Sequence, residues 1–244
     1  MTIKQAMVLA AGLGTRMRPI TDTIPKPLVK IDGKPMIDYA LDSLAEAGVE
    51  KAVVNVHHFA DQMLAHLNSY KALDIIISDE RDRLMNNGGG LAKGLKLLGR
   101  GTVFVTNADL FWIGERPDRP SNLRRLAGFF DANRMDMAML CVKLADTTGH
   151  NGKNDFNLAP DGRLTRYRER GPNPVVYAGA IVMDTSFLDD APADDPFNLN
   201  IYFDKAIERG RLFGMMLEGH WLTVGTPEAI GEAEETIRRF RTFV

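Results

Sequence analysis

Two cations, Arg16 and Lys26, flank a loop in which Gly12 and Gly14 bare the main chain, within the stretch LAAGLGTRMRPITDTIPKPL from Leu9 to Leu28. Glycine admits backbone angles closed to other residues and lets a ligand lie on peptide N–H groups, so Ala11, Gly12, Gly14 and Thr15 are candidates to touch phosphate beside the two cations. A carboxylate stands at a second strand end, in Asn107-Ala108-Asp109. Mg²⁺ is held by one or two carboxylates together with phosphates and waters, so Asp109 alone is chemically sufficient to seat it. A further glycine run, Asn86-Asn87-Gly88-Gly89-Gly90, begins a helix. That arrangement suits close approach of a flat base and of phosphate at the helix N-terminus.

Two familiar glycine motifs do not fit. A dinucleotide fingerprint needs glycine where Met17 stands, and a P-loop needs Gly-Lys-Ser/Thr where Gly14 is followed by Thr15-Arg16. The one cysteine, Cys141, sits in the apolar run Met139-Leu140-Cys141-Val142 and reads as core. His57 and His58 are adjacent, cannot easily share a metal, and read as strand-end packing and helix entry.

These groups must be positioned by strands and helices. Ala6–Ala10 is apolar on both faces, as a buried parallel strand is. Pro19, Pro25 and Pro27 predict an extended, stiff loop after it. Pro35–Ala47 has helical apolar spacing ending at Gly48; strand Lys51–Val56, helix Ala60–Leu67, strand Leu73–Ser78, helix Gly90–Leu98 and strand Thr102–Thr106 follow. This alternation predicts an α/β, Rossmann-like, mostly parallel sheet flanked by helices, with ligands at the carboxyl ends of the strands. From residue 149 to about 184 shorter pieces, Asp155–Leu158, Leu164–Tyr167 and Val175–Met183, predict a small antiparallel lid within one domain spanning 1–244. Helix Asn200–Arg209, strand Leu212–Leu217 and helix Thr226–Arg241 close the chain, and Glu115–Ser121 reads as an exposed connection.

With 244 residues the chain suits one large domain. Its 30 basic and 32 acidic residues create no field to attract nucleic acid or a membrane surface. Met1–Gln5 lacks the apolar core of a signal peptide and no apolar run reaches membrane-spanning length, so the cytoplasm is the expected compartment. Oligomeric state is not read from the sequence.

The spacing G-x-G-T-R-x-x-P-x-T, then P-K-P-L, then Gly33-Lys34-Pro35-Met36, resembles the signature of the sugar-1-phosphate nucleotidylyltransferases, over nearly the whole chain. The resemblance implies the nucleotide-diphospho-sugar transferase fold and Mg²⁺ on Asp109. It implies that Arg16 and Lys26 neutralise the triphosphate, and that Asn87, Gly88, Gly89 and Asn107 lie near the nucleotide. Arg168-Glu169-Arg170-Gly171 is similar to the family's Glu-Lys-Pro element, which gives Glu169 the sugar hydroxyls and Arg170 the sugar phosphate, with Gly179 admitting the sugar. Gly149-His150-Asn151-Gly152-Lys153-Asn154-Asp155-Phe156 is most like the members that join UTP to N-acetylmuramate 1-phosphate in cell-wall recycling, and it brings in Asp155, with Lys153 and Asn154 as candidates for the lactyl carboxylate. Transfer to mannose, heptose or glucose 1-phosphate, from GTP or UTP, stays open. So does a non-catalytic nucleotide-sugar sensor, because the family's G-x-W-x-D-x-G-T element reads Gly219-His220-Trp221-Leu222-Thr223-Val224-Gly225-Thr226 here, with Thr223 in place of the second metal carboxylate.

Overall fold

β-branched and apolar residues alternate between two buried faces along β1 (Gln5–Leu9), where Ala6 and Val8 enter one core and Met7 the other. The computed structural model describes residues 2–192 and 195–242. After β1 come the hairpin β2 (Lys30–Ile31) and β3 (Lys34–Pro35), then α1 (Met36–Glu46), β4 (Lys51–Val56), α2 (Ala60–Ser69) and β5 (Asp74–Asp79). Next are α3 (Asn86–Leu95), β6 (Thr102–Asn107), β7 (Leu110–Ile113), α4 (Asn122–Phe129) and β8 (Met137–Val142). The last third holds β9 (Thr147–Thr148), β10 (Phe156–Leu158), β11 (Leu164–Arg166), β12 (Pro174–Asp184), α5 (Asn200–Glu208), β13 (Leu212–Met216), β14 (His220–Thr223) and α6 (Glu228–Thr242).

β5, β4, β1 and β6 pair in parallel, as the βα alternation requires. β12 is antiparallel to β6 on one edge and to β8 on the other, and β13 adds in parallel to β8. Ile37, Leu41 and Leu44 of α1, Met63 of α2 and Leu126 of α4 fill the core on one face. Leu91 of α3 and Phe203 of α5 fill the other. A third cluster joins Met17, Met36, Leu222 and Ile237 under α6. No described helix is long and apolar enough to cross a membrane.

Three expectations change. The helix placed at Gly90–Leu98 begins four residues earlier, at Asn86, so the glycine run lies inside it. Val175–Met183 is not confined to a lid: the strand runs Pro174–Asp184, its first residues pairing with β10 and its last five with β6. The third expectation, an extended loop after β1, gives way to a coiled one, and a small sheet β7-β14-β9 forms beside it from strands far apart in the chain.

Candidate active site

The loop after β1 is not extended. It coils through three 3₁₀ turns, Thr15–Met17, Ile20–Asp22 and Lys26–Leu28, since proline bars an α-helix but tolerates a turn start. Gly14 makes this possible: its φ is +64°, and a Cβ there would stand 2.9 Å from Lys26 Cβ. Thr21 Oγ1 donates to Gly14 O at 2.8 Å and closes the loop on itself. Fully buried Met17 anchors it to the third core.

Coiling carries Lys26 inward. It is 8 % exposed, not free on a loop, and its Nζ donates to Asp109 Oδ2 at 2.6 Å. Asp109 follows β6, whose neighbour β1 delivers the glycine loop, so parallel register brings both to one sheet edge. A cavity of 280 Å³ opens there, lined by Ala11, Gly12, Lys26, Asn87, Asn107 and Asp109 among the anticipated residues. Asn86, from the same glycine run, lines it too, as do Asn55 and Leu84, which no sequence motif marks.

The other anticipated residues lie outside this cavity. Thr15 and Arg16 are exposed on the loop. The Arg16 guanidinium lies beside the Gly225 backbone, 3.6 Å from where a Cβ would be, and among the described residues its side chain has no hydrogen-bond or ion-pair partner. Gly88 and Gly89 do not bare the backbone to a base: both N–H groups donate to Phe197 O, at 3.0 and 3.3 Å. Cβ atoms there would meet the Phe197 ring at 2.4 Å and Asp195 O at 2.8 Å, so the glycines admit the chain's own 195–199 segment. Asn87 Oδ1 accepts Leu199 N at 3.0 Å from the same segment.

Gly179 likewise does not leave room for a sugar. It takes φ +79° where the β12–β8 register shifts, and Leu110 occupies the place of its side chain, 2.2 Å from the Cβ position. Where β12 passes from its β10 pairing to its β6 pairing, side chains take its backbone groups: Asp155 Oδ2 accepts Tyr177 N at 2.8 Å and Trp221 Nε1 donates to Ala178 O at 3.0 Å. Burial pushes the Asp155 carboxyl above the usual carboxylate range, opposed by the Tyr177 N–H. Glu169 and Arg170 stand exposed on the turn from β11 to β12. Buried Asn157 frames that turn, accepting Arg168 N at 2.6 Å and donating to Pro172 O at 3.1 Å.

His57 Nδ1 donates to Glu80 O at 2.7 Å and His58 Nε2 to Thr21 O at 3.2 Å, so both serve loop ends. Cys141 is fully buried, and burial pushes its thiol up.

Residues 6–145 match the MobA-like NTP transferase domain. A relative from Caulobacter vibrioides named N-acetylmuramate alpha-1-phosphate uridylyltransferase is 42% identical, over 95% of this chain and 96% of its own. The chain belongs to the sugar-1-phosphate nucleotidylyltransferases. A second relative of the same name from Neisseria meningitidis is 31% identical, over 94% and 96% of the two chains. A putative glucose-1-phosphate thymidylyltransferase from Bacillus anthracis, solved with sucrose, shares the fold with a TM-score of 0.79 at 17% identity, over 97% and 95% of the chains.

In this nucleotidylyltransferase the donors suited to a divalent cation are few. Asp109 keeps 37% of its side chain exposed, and Thr223 pairs across strands with Leu110, the residue after Asp109. No group of three His, Cys, Asp or Glu side chains that could hold a metal occurs among the described residues. One carboxylate fits Mg²⁺ that brings phosphates and water as its other ligands, and does not fit an all-protein cage.

Proposed function

We propose that this enzyme transfers a uridylyl group from UTP to N-acetylmuramate 1-phosphate, giving UDP-N-acetylmuramate and pyrophosphate in the reuse of cell-wall sugars. The observation that carries this reading is the cavity at the ends of β1 and β6, walled by glycine backbone and floored by the Lys26–Asp109 pair. The end-to-end 42% identity to the Caulobacter relative supports the choice of sugar and base.

A phosphate oxygen of the sugar phosphate forms a bond to the α-phosphorus while the bond from that phosphorus to the α,β-bridging oxygen breaks. The attacking oxygen is already anionic, so no general base is needed, and positioning with charge neutralisation supplies the catalysis. Lys26 exchanges Asp109 for the α-phosphate as the nucleotide enters. Arg16, without a partner, takes the leaving β,γ-phosphates. Glu169 and Arg170 hold the sugar hydroxyls and sugar phosphate, with Asp155 beside them. Asp109 would hold Mg²⁺, with Thr223 on the strand paired to the residue after it, and the ion would supply neutralisation of phosphate charge.

The test is pyrophosphate release over UTP, CTP, GTP and ATP, each paired with N-acetylmuramate, glucose and mannose 1-phosphates. UTP with the muramate phosphate is the expected best pair, and a clear preference for another sugar sinks the assignment. Thr223 favours one second reading, a nucleotide-sugar sensor; it replaces the first if no pair releases pyrophosphate at saturating Mg²⁺.

A further inference from the structure

The nucleotide cavity has two walls from distant parts of the chain: the β1 exit at Ala10–Gly12, and the 84–87 segment that leads into α3. Between them lie two polar side chains with almost no contact with solvent, Asn55 at 2 % and Glu80 at 1 % exposure. Asn55 Oδ1 accepts Ala10 N at 2.6 Å, just where β1 leaves its ladder. Asn55 Nδ2 donates to Glu80 Oε1 at 2.8 Å, and Glu80 Oε2 accepts Met85 N at 3.2 Å. Gly90 makes space for the pair: a Cβ there would meet Asn55 Nδ2 at 2.6 Å and Glu80 Oε1 at 2.7 Å.

Burying a carboxylate is costly unless it is hydrogen-bonded, and a strand-end N–H could be satisfied without a charge. This carboxylate touches no cation in the described hydrogen bonds. It spans from one wall of the cavity to the other through a single amide.

We propose that Asn55 and Glu80 are positioning residues for the nucleotide. Their three hydrogen bonds set the distance between the glycine loop and the 84–87 wall, and so set triphosphate affinity without touching the transferred group. The identity of the nucleotide as UTP rests on the function proposed above; the clasp itself does not.

The test uses the full chain, with calorimetric binding of all four nucleoside triphosphates in Mg²⁺ and the KM of the sugar phosphate. Asn55→Asp sets two carboxylates face to face, and Glu80→Gln turns an amide donor toward one of two donors. Each is expected to weaken binding of the preferred nucleotide by about tenfold or more, the scale of one buried group left unpaired. The sugar-phosphate KM stays within about threefold. The double variant keeps all three bonds, because the new glutamine amide donates to the new aspartate while its oxygen accepts Met85 N; it is expected to restore affinity. A merely structural role would lower Tm and the fraction of competent sites, leave Kd of the folded fraction unchanged, and let the double variant rescue Tm alone; that result overturns the proposal. Where Asn55→Asp does not fold, Glu80→Gln and the double variant decide in the same terms. Wild type binding a triphosphate other than UTP would refute the UTP reading, whereas variants equal to wild type would refute the clasp.

Discussion

Two banks of the candidate site, the β1–β6 cavity proposed to take the nucleotide and the β11–β12 turn proposed to take the sugar, are built to different degrees. On the first, Lys26 is buried against Asp109, and the loop walls are tied by Thr21, Asn55 and Glu80 before any ligand is present. On the second, Glu169 and Arg170 are exposed on a turn, and their side chains have no hydrogen-bond or ion-pair partner among the described residues. Only the Asp155 carboxylate is tied in, by one backbone N–H. Charge developing on phosphate is stabilised most by groups already fixed in place, which is what the triphosphate role proposed for the first bank requires. In the sugar role proposed for the second bank, exposed side chains have to be ordered on binding, which reduces affinity.

The largest expected effects lie on the rigid bank. Asp109→Asn should abolish Mg²⁺-dependent turnover and also lower Tm, because buried Lys26 loses its counter-charge; retained activity would mean that the metal is seated elsewhere. Lys26→Ala and Arg16→Ala should each lower kcat by about 10²–10³, as when one preorganised donor is removed. The two separate in stability: Lys26→Ala empties a buried site and leaves Asp109 unpaired, so its Tm falls, whereas exposed Arg16 can be lost with no such change. Equal thermal losses would break the contrast between a built wall and a free cation.

On the open bank, Glu169→Ala and Arg170→Ala should raise the sugar-phosphate KM by about tenfold, the scale of one exposed charged contact on a ligand, with UTP affinity and Tm unchanged. Steady-state kinetics with each substrate varied checks this. A rise in the UTP KM instead would place the turn over the nucleotide.

The rigid bank was the more legible in sequence, because strand-end loops declare themselves: the glycine-proline spacing around Arg16 and Lys26 and the carboxylate after β6 needed only chain order. What stayed hidden depends on pairings that chain order does not contain. Asn55 and Glu80 are 25 residues apart and meet through the β4–β5 register, in which Asn55 faces Ser78. The glycine run at 88–90 signals a close approach, but a sequence does not say whether the approaching group is a ligand or, as here, the chain's own Phe197, Asp195, Asn55 and Glu80. Gly179 carried the same ambiguity, resolved by Leu110.

Thr223 offers a smaller effect that sharpens the contrast. It pairs with Leu110, one residue past Asp109, so Thr223→Asp brings a second carboxylate to the strand end that carries the proposed metal ligand. Mn²⁺ titration of the nucleotide-free protein should show tighter binding than wild type. Unchanged affinity would mean that Lys26, already on Asp109 Oδ2, governs metal entry and not the missing ligand.

The smallest expected effect concerns Asp155, the one sugar-side group turned into the fold although the residue as a whole is exposed. Burial raises its carboxyl above the ordinary value of 3.8, and the Tyr177 N–H and the charges of His150 and Arg166 only partly oppose that. A carboxyl with a raised folded pKa binds protons more readily in the folded state than in the unfolded one. Stability from the neutral form is therefore present at low pH and is lost as pH rises from the ordinary carboxylate value through the raised one. Asp155→Asn keeps an oxygen to accept Tyr177 N and has no charge to bury, so the variant should gain in stability over wild type as pH rises through that window and hold a constant lead above it. If the ionised carboxylate serves the sugar as proposed, the same variant should raise the sugar-phosphate KM and leave the UTP KM alone. Denaturant midpoints for both proteins from pH 4 to pH 7, alongside the two KM values, check both halves. A pH-independent stability difference would show that the charge is not strained, and an unchanged sugar KM would reduce Asp155 to the holding of the Tyr177 N–H.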